Sequence, residues 1–546
     1  MIKCENTLQN RVIYGGLLLI IFASVAIRFP LLEVPLERDE GEYAYAGQLI
    51  LQGIPPYKLM YSMKLPGIYG IYALILAIFG QSHKGIHLGL LLFNTATIMM
   101  IFFLVKRLFN PIAGISSAAC FALLSVGQSV QGIFANSEHF VIFFALCSAL
   151  FLLNGIKTSK MLPFFWSGIF ASFCFLVKQH GASFIAFGLI MIISQKYKNS
   201  NISLKCILYQ ESLFITGAVL PYLFTLIFLY QSGVFDKFWF WTVEYAMTYT
   251  TLVSPAIAWK LFFNNMVPII KSAPAIWIIS TIGLIVLLTD KKIKQNKKYL
   301  ILFSIFSFLA ICPGLYFRPH YFILLLPAVS ILFGFGIHVL SGFIGKTGLL
   351  RHKNSLSILV VLVCILSSFY QQRIFLFQIS PRQASRNTYG LNPFPESLEL
   401  QEIIKKITHE EDRIVVLGSE PQIYFYSKRR AATGYVYMYP LMEQHDFARQ
   451  MQIEMIQEIE KASPELLIFV NIFTSWLQHS KSPRLVFEWL NGYQTKHYKI
   501  LGLIEPGMDK TNYQWVPDIN WPPKSNTWLL IMKRKPNQQT NKKLLF

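Results

Sequence analysis

The residues best suited to acid–base chemistry form an acidic cluster near the N-terminus. Five carboxylates lie close together in segment 33–42, those of Glu33, Glu37, Asp39, Glu40 and Glu42. A carboxylate at a membrane surface can accept a proton from a substrate hydroxyl. The spacing of Asp39 and Glu42 is also typical of a capping box, which predicts a helix over about 40–52 with Asp39 as its N-cap. The two roles are compatible, because a helix N-terminus favours the ionised carboxylate that a base needs.

A lysine follows this cluster where the chain returns to apolar sequence. Lys64 directly precedes Leu65 and Pro66, and its ammonium group is suited to bind a phosphate in the lipid headgroup region. The alternative is a lysine that only extends from the apolar boundary into water. Both interpretations put Lys64 at the membrane surface.

Three further pairs of polar residues interrupt apolar sequence: Glu138 and His139, Lys178 and His180, and Arg318 and His320. Ionisable groups at such positions are costly unless they are paired or face a cavity. Each pair alone is as readily structural as functional. Together with the acidic cluster they indicate a site, provided that the topology puts all of them on one side of a membrane.

The composition decides what kind of protein holds these residues. The chain has 546 residues, a net charge of +21, 54% hydrophobic residues and only 14% charged residues. A soluble protein of this length has roughly 25% charged residues. A disordered chain has few aromatic residues, whereas 15% of this chain is aromatic. Nucleic-acid binding needs a soluble basic surface and is not expected. The composition therefore indicates a polytopic membrane protein.

Eleven apolar runs are candidates for spans, which need about 17–25 mostly apolar residues. They are residues 12–28, 86–105, 112–130, 140–153, 161–177, 182–195, 212–230, 267–288, 299–317, 321–340 and 355–370. A twelfth run, 67–80, is short and rich in glycine and tyrosine, so we expect it to lie along the membrane surface. The prediction is an all-α polytopic fold with about eleven transmembrane helices.

The distribution of positive charge predicts the orientation. With eleven spans and a cytoplasmic N-terminus, the cytoplasmic segments hold 17 lysines and arginines against 2 acids. If 67–80 also crossed, Lys106, Arg107 and the lysines of 291–298 would face outward, against the positive-inside rule. The preferred orientation puts the acidic cluster, the three polar pairs and everything after residue 371 on the outer side.

We divide the chain at residue 371. Residues 1–371 form a transmembrane domain with a long first outer loop, 29–85, and residues 372–546 form a soluble outer domain. In the soluble domain, four apolar residues have the spacing of an amphipathic helix: Leu400, Ile403, Ile404 and Ile407. Three apolar segments are typical of buried strands: 413–418, 466–470 and 528–532. Helices alternating with strands predict a small α/β domain.

Neither a disulfide framework nor a required cofactor is expected. The seven cysteines contain no CxxC pair. His83 and His87 have i,i+4 spacing but no third ligand nearby, so a divalent metal is an alternative and not the expectation. The sequence has no phosphate-binding glycine loop that would support nucleotide binding.

Three motifs resemble GT-C glycosyltransferases. The first, Asp39-Glu-Gly-Glu-Tyr-Ala-Tyr-Ala, and the second, Gln52-Gly-Ile-Pro-Pro-Tyr57 with Lys64-Leu-Pro66, resemble the first outer loop of that group. The bacterial relatives of the protein mannosyltransferases and of the lipid A aminoarabinose transferase are the most similar members. The third motif, Arg318-Pro-His-Tyr-Phe with Leu325-Leu-Pro327, resembles a later membrane motif of the same group. Val416-Leu-Gly-Ser-Glu-Pro421 in the soluble domain also fits these relatives.

This resemblance implies a polyprenyl-phosphate monosaccharide as donor, used on the non-cytoplasmic side with inversion at the sugar. It implies that Asp39 is the catalytic acidic residue, with Glu40 beside it. Lys64 matches the basic position of a related motif in which Leu65 replaces a proline. Met63 stands where the metal-binding member has a glutamate, which argues against a metal.

The charge pattern and the motifs together identify two sets of candidate binding residues. The candidates for the donor phosphate are Lys64, Arg318, His320 and Lys178. The candidates for further substrate contacts are Glu138, His139, Tyr43, Tyr57 and Tyr321.

We predict an integral-membrane inverting glycosyltransferase of the bacterial cytoplasmic (inner) membrane. It moves a sugar from a polyprenyl phosphate to an outer-face acceptor, which is a lipid, a glycan or a protein. The alternative is a polytopic transporter or lipid flippase, although transporters usually have paired halves with broken helices near the midplane, and this sequence has no such symmetry. A non-catalytic scaffold that displays the soluble domain is a third hypothesis.

Overall fold

A computed structural model describes residues 2–195, 203–291, 296–344 and 353–536 of the chain. Up to residue 377 its α-helices are α1 (Ile2–Arg28), α2 (Arg38–Leu51), α3 (Pro66–Phe79), α4 (His83–Leu108), α5 (Pro111–Leu124), α6 (Ser137–Thr158), α7 (Leu162–Val177), α8 (Ala182–Ile193), α9 (Leu204–Gln231), α10 (Phe235–Trp239), α11 (Ala246–Thr250), α12 (Pro255–Ser272), α13 (Pro274–Thr289), α14 (Lys297–Leu309), α15 (Leu326–Ile344) and α16 (Lys353–Phe377). Short 3-10 helices cover Pro30–Glu33, Gln128–Val130, Gln179–Gly181, Pro313–Leu315 and Pro319–Leu325, and a π-helix covers Phe240–Tyr245.

Within the described ranges, 6 helices are long and apolar enough to cross a membrane, or up to 7 if the bent pair α12 and α13 is one span. Four shorter apolar helices accompany them, one of which is α3, the helix of the run 67–80. The structure is therefore that of a multi-pass membrane protein. The count of eleven spans stays a prediction.

Two predicted spans are broken. Run 267–288 bends by 105° between α12 and α13, because Pro274 lacks an N–H and keeps Ala273 out of helical geometry. Run 299–317 ends as a helix at Leu309, since Pro313 and the left-handed Gly314 (φ 71°) follow. The second break places Arg318 and its neighbours in irregular backbone and not inside a helix.

The C-terminal domain, described over residues 378–536, contains a mixed sheet between helices. Its helices are α17 (Pro381–Tyr389), α18 (Phe394–Ile407), α19 (Gln422–Ser427), α20 (Tyr439–Met442), α21 (Ala448–Ala462), α22 (Phe473–Trp476) and α23 (Leu485–His497). Its strands are β1 (Arg413–Leu417), β2 (Arg430–Ala431), β3 (Leu466–Asn471), β4 (Tyr498–Glu505), β5 (Asn512–Trp515) and β6 (Trp528–Arg534). The preceding helix α16 continues to Phe377, beyond the predicted boundary at residue 371.

The sheet has the strand order β2-β1-β3-β6-β4-β5, with β1 parallel to both of its neighbours and the pairs beyond β3 antiparallel. The residues of β1 from Ile414 to Leu417 are fully buried, as expected for a strand covered on both faces. The three strands predicted from apolar segments are confirmed as β1, β3 and β6. The predicted amphipathic helix is α18, in which Leu400 and Ile404 are fully buried.

Helix α2 joins the C-terminal domain to the membrane part, because it packs against α19. A methyl group on Gly41 would lie 2.6 Å from the backbone nitrogen of Gln422, so the two helices approach as closely as only glycine allows. The hydroxyl of Tyr426 accepts a hydrogen bond from the N–H of Leu36 (2.9 Å), and the hydroxyl of Tyr45 accepts one from the N–H of Ala431 (2.9 Å). Helix α2, which carries Asp39, Glu40 and Glu42, is thereby fixed to the C-terminal domain.

Candidate active site

A cavity of about 160 Å³ lies where the segment before α3 meets the C-terminal domain. Six chain segments form its wall: the start of α2, the turn before α3, the start of α6, the turn between α7 and α8, the π-helix with α11, and residues 313–321. Residues 437–443 of the C-terminal domain close it. Segments from distant parts of the sequence thus converge on one enclosed space, which is the usual setting of a binding site.

Asp39 lies in the first turn of α2 and its side chain lines the cavity. The prediction that Asp39 caps this helix is wrong. Glu37 is the N-cap, and it forms a capping box with Glu40 in which each side chain accepts from the other residue's N–H (3.0 and 3.1 Å). The helix therefore begins at Arg38, and the Asp39 carboxylate is available to the cavity.

Lys64 is held between two carboxylates of α2. Its Nζ donates to Oδ1 of Asp39 (2.8 Å) and to Oε2 of Glu42 (2.6 Å). The other Glu42 oxygen accepts from the hydroxyl of Tyr69 (3.1 Å). The ammonium group also lies over the ring of Tyr43, 4.7 Å from its centroid, a favourable cation–π position. The alternative of an interfacial lysine without contacts does not describe this environment.

The electrostatics of the pair favour its charged state. Burial opposes ionisation of Asp39, but the Lys64 ammonium, together with His320 and Arg318, offsets it and holds the pKa of this carboxyl below its usual range. Burial likewise opposes the charge on Lys64, while Asp39 and then Glu42 raise the pKa of the amine well above its ordinary value. An ionised carboxylate therefore faces the cavity at neutral pH.

A second ionic group lies on the other side of the cavity. Lys178, at the end of α7, donates a hydrogen bond to Glu138 at the start of α6. Nε2 of His320 lies 4.0 Å from the same Glu138 carboxylate. Tyr321 lies beneath the ammonium of Lys178, 4.3 Å from ring centroid to Nζ. Lys178, His320 and Tyr321 line the cavity, whereas Glu138 is fully buried directly behind them.

Arg318 differs from the other two cavity cations in its partners. Among the described residues, no carboxylate lies within 4.0 Å of its guanidinium group, whereas Lys64 and Lys178 each have one. Its neighbours are aromatic: the guanidinium lies 5.5 Å from the ring centroid of Tyr316, which itself stacks on Tyr249. A half-buried cation with no carboxylate within 4.0 Å is suited to receive an anionic ligand.

Three residues that the sequence identified as candidates lie away from the cavity. Glu40 is fully buried, and its Oε1 accepts from the N–H of Ala135 (2.5 Å) and contacts Nε2 of His87 (2.9 Å). His139 is buried beside Asn94, 3.3 Å between ring Nδ1 and side-chain nitrogen. Tyr57 donates to the carbonyl of Lys64 (2.7 Å). The geometry does not support direct substrate contacts by these three; they hold the loops that carry the site.

Several cavity residues were not among the candidates. They are Glu42, Tyr61, Gln179, Trp241, Tyr245, Tyr249, Tyr437, Tyr439 and Glu443. Glu42 had a signal, since it lies three residues after Asp39 and therefore on the same helix face. The π-helix turns Trp241 and Tyr245 toward the site, and π-turns are frequent at functional sites. The residues of the C-terminal domain carried no signal in the sequence.

An apolar groove of about 790 Å³ lies beside the cavity. Its walls are formed by the start of α3, by Phe144 and Phe173 from α6 and α7, and by Phe224 and Phe228 from α9. Val177 lines both the groove and the cavity. The charged site therefore lies next to a surface that suits a hydrocarbon chain.

Within the described part of the chain, no group of three or more His, Cys, Asp or Glu residues could hold a metal ion. The two histidines with i,i+4 spacing contact acids instead: Nε2 of His83 lies 3.2 Å from Glu33, and that of His87 lies 2.9 Å from Glu40.

Comparison with known proteins gives one family match and several structural matches. Residues 64–224 match the family described as dolichyl-phosphate-mannose-protein mannosyltransferase. No curated protein matches the sequence significantly.

The structural matches extend over nearly the whole chain. The apo structure of ArnT from Cupriavidus metallidurans has a TM-score of 0.60 at 13% identity, and it covers 95% of this chain and 98% of that one. The structure of ArnT bound to undecaprenyl phosphate has a TM-score of 0.57 at 14% identity with the same coverage. The oligosaccharyltransferase AglB from Archaeoglobus fulgidus, in complex with an inhibitory peptide and a dolichol-phosphate, has a TM-score of 0.56 at 11% identity, covering 95% of this chain and 75% of that one. These matches confirm the resemblance to GT-C glycosyltransferases and show that the chain shares their fold.

Proposed function

We propose that this protein is an inverting glycosyltransferase of the bacterial inner membrane, with a cytoplasmic N-terminus and an outward-facing C-terminal domain. It moves a sugar from a polyprenyl phosphate to an acceptor hydroxyl on the outer face. The observation that carries this proposal is the convergence of Asp39, Lys64, Lys178, Arg318 and His320 on one cavity next to an apolar groove. A carboxylate opposite unneutralised positive charge is what a single displacement at a phosphorylated sugar requires.

The groove and the cavity together suit a lipid-linked donor. The polyprenyl chain would lie against the phenylalanines of α6, α7 and α9, and burial of apolar surface would stabilise it. Because Val177 lines both the groove and the cavity, a lipid bound in the groove would have its phosphate near Lys178 and the other cations of the cavity. The solved structures of ArnT and AglB, which have the same fold, hold undecaprenyl phosphate and dolichol-phosphate. These two ligands support a donor of the same class.

The reaction divides between the two sides of the cavity. One oxygen of Asp39 accepts the proton of the acceptor hydroxyl as the hydroxyl oxygen forms a bond to the anomeric carbon of the donor. The bond from the anomeric carbon to the phosphate oxygen breaks, and the phosphate leaves with the electron pair. Attack from the face opposite the phosphate inverts the configuration. Arg318, assisted by Lys178 and His320, stabilises the charge of the leaving phosphate.

The direct test is sugar transfer in proteoliposomes. Labelled undecaprenyl-phosphate monosaccharides are supplied with extracts of bacterial envelope lipid, glycan and protein as separate acceptors, and the glycosidic product is identified with its anomeric configuration. A product of inverted configuration supports the proposal. Movement of the labelled lipid between leaflets without any glycosidic product would instead favour the transporter or flippase.

Arg318→Gln should weaken donor binding as well as slow turnover. A lost charge-assisted hydrogen bond costs about 1.5–3 kcal/mol, which raises the KM for donor by roughly 10–100-fold. Competition by undecaprenyl phosphate against the labelled donor measures the same loss without turnover. Arg373→Gln is the matched control, because Arg373 lies in α16 and donates to the Tyr370 carbonyl, away from the cavity. Equal competition in wild type and Arg318→Gln would contradict the phosphate role.

Transfer should not require a divalent metal ion. In many sites a metal ion neutralises adjacent carboxylates, but here the Lys64 ammonium lies between Asp39 and Glu42 at 2.8 and 2.6 Å. We expect the transfer rate to be the same, within about twofold, after dialysis against EDTA and after addition of Mg²⁺ or Mn²⁺. A rate that falls on chelation and returns with either ion would contradict this.

A further inference from the structure

The C-terminal domain supplies part of the cavity wall. Four of its residues line the cavity: Tyr437, Tyr439, Pro440 and Glu443. They belong to one short segment, residues 433–443, between β2 and α21. A domain that only packed on the loops from outside would contribute no side chains to the reaction space.

Tyr437 contacts both members of the central ion pair. Its hydroxyl donates a hydrogen bond to Oδ1 of Asp39 (3.0 Å). Its ring lies beneath the ammonium of Lys64, 5.1 Å from ring centroid to Nζ, within cation–π range. Burial and then the charge of Asp39 raise the pKa of the Tyr437 phenol well above its usual value. The phenol thus stays protonated and acts as a donor.

These contacts orient the Asp39 carboxylate. Lys64 and Tyr437 both donate to the same oxygen, Oδ1. In the described part of the chain, no side chain or backbone group donates a hydrogen bond to Oδ2. Two donors on one oxygen fix the rotation of the carboxylate and leave the other oxygen for the proton of an acceptor.

The segment that carries Tyr437 is anchored on both sides to residues next to the ion pair. On one side, the carbonyl of Gly434 accepts a hydrogen bond from the N–H of Tyr61 (2.8 Å), which lies three residues before Lys64. The hydroxyl of Tyr61 donates to Glu458 of the same domain (2.7 Å). A methyl group on Gly434 would lie 2.4 Å from the Tyr61 ring, so this contact is as close as glycine permits.

On the other side, Arg38 connects the residue before Asp39 to the same domain. Its guanidinium donates to the hydroxyl of Tyr439 (2.8 Å) and to Glu420 (2.6 Å). The backbone N–H of Met438 in turn donates to the hydroxyl of Ser419 (2.8 Å). Tyr437 therefore sits between two anchors, each of which leads directly to Asp39 or to Lys64.

We infer that Tyr437 is a positioning residue and that the C-terminal domain completes the active site through it. This inference rests on the proposed function and deepens it. Tyr437 holds the Asp39 carboxylate with Oδ2 toward the acceptor, so its hydroxyl acts on turnover and not on donor binding. The domain that closes the cavity thereby takes part in the reaction step.

The test compares Tyr437→Phe with Tyr435→Phe in the proteoliposome transfer assay, with wild type and Asp39→Asn in parallel. Tyr435 lies two residues away, and its hydroxyl donates to Glu454 (2.6 Å) outside the cavity. Each variant thus loses one hydrogen bond from a phenol to a carboxylate. We expect Tyr437→Phe to lower kcat by about 10-fold, with the donor KM and undecaprenyl phosphate competition within about twofold of wild type. Tyr435→Phe should retain the kcat of wild type.

Each other outcome has a definite meaning. If Tyr437→Phe turns over like wild type while Asp39→Asn does not, the proposed function stands and the role of Tyr437 is overturned. If both tyrosine variants lose kcat equally, the effect is structural and the inference is also overturned. If wild type forms no glycosidic product from any donor of the panel, the proposed function fails, and the inference that rests on it fails too.

Discussion

Asp39→Asn should abolish most of the turnover while leaving the protein folded and able to bind donor. Asparagine keeps the shape of the side chain but cannot accept the acceptor's proton, and loss of a general base typically costs about 10²–10⁴-fold in rate. The fold should tolerate the change, because Lys64 retains its contact with Glu42 (2.6 Å). The measurement is kcat in the transfer assay, with competition by undecaprenyl phosphate as the binding readout.

Glu40→Gln is the matched control, since it neutralises the adjacent acid. Glu40 caps its own helix and contacts His87 and the N–H of Ala135, all away from the cavity. We expect this variant to lower the midpoint of thermal unfolding, because a buried hydrogen-bonded network is broken, but to keep kcat within a few-fold of wild type. If Glu40→Gln lost as much turnover as Asp39→Asn, the sequence-based assignment of Glu40 as a catalytic residue would be restored.

The helix start shows where sequence pattern reaches its limit. Glu37 and Glu40 have the same spacing as Asp39 and Glu42, but aspartate is a preferred N-cap residue and glutamate is not. The pattern therefore favoured the second pair. The structure adopts the first pair, and this choice moves Asp39 from the cap to a position that faces the cavity. A shift of the helix start by two residues therefore decides whether Asp39 caps the helix or lines the cavity.

The sequence predicted which charged residues share the site, but it did not predict that the C-terminal domain closes the cavity. The predicted topology grouped five residues, because each interrupts or borders apolar sequence on the same side of the membrane. All five line one cavity: Asp39, Lys64, Lys178, Arg318 and His320. A charged residue within apolar sequence is energetically costly, so such residues are rare and are easily recognised in a sequence.

Tyrosine carries no such signal, because it is common both in cores and at interfaces. Tyr437 and Asp39 are 398 residues apart in the sequence, and their contact depends on the packing of the C-terminal domain against α2. No local pattern encodes a contact over such a separation. For the same reason Glu443 and Tyr439 were not among the candidates.

The breaks in the two predicted spans were missed in the sequence for a different reason. Pro274 and Pro313 were visible in the sequence, but both lie within long apolar runs. Mean hydropathy over a window of about 19 residues does not register a single proline. The backbone does, because the residue before proline avoids helical geometry. The second break matters for the site, since it gives Arg318 a non-helical backbone from which its side chain enters the cavity.

Lys64→Met should lower turnover at neutral pH by about 10²-fold or more and make the rate strongly dependent on pH. In wild type, Lys64 holds the pKa of Asp39 below its usual range, so the base is ionised throughout pH 5–9 and contributes no acid limb. Without the ammonium, burial still raises the pKa of Asp39 while only His320 and Arg318 lower it, so this pKa should rise. A protonated Asp39 cannot act as a base, so the rate of the variant should rise with pH across the acid to neutral range.

Lys64→Arg separates the charge from the particular side chain. Arginine keeps a positive charge near Asp39 and Glu42 but with a different hydrogen-bond geometry, so its rate should fall while its pH profile stays flat. A flat profile in Lys64→Met as well would mean that Lys64 acts on the donor phosphate and not on Asp39. Recovery of the Lys64→Met rate at high pH also shows that the variant is folded, because an unfolded protein would not regain turnover. The two variants together therefore decide whether the paired lysine serves the base or the leaving group.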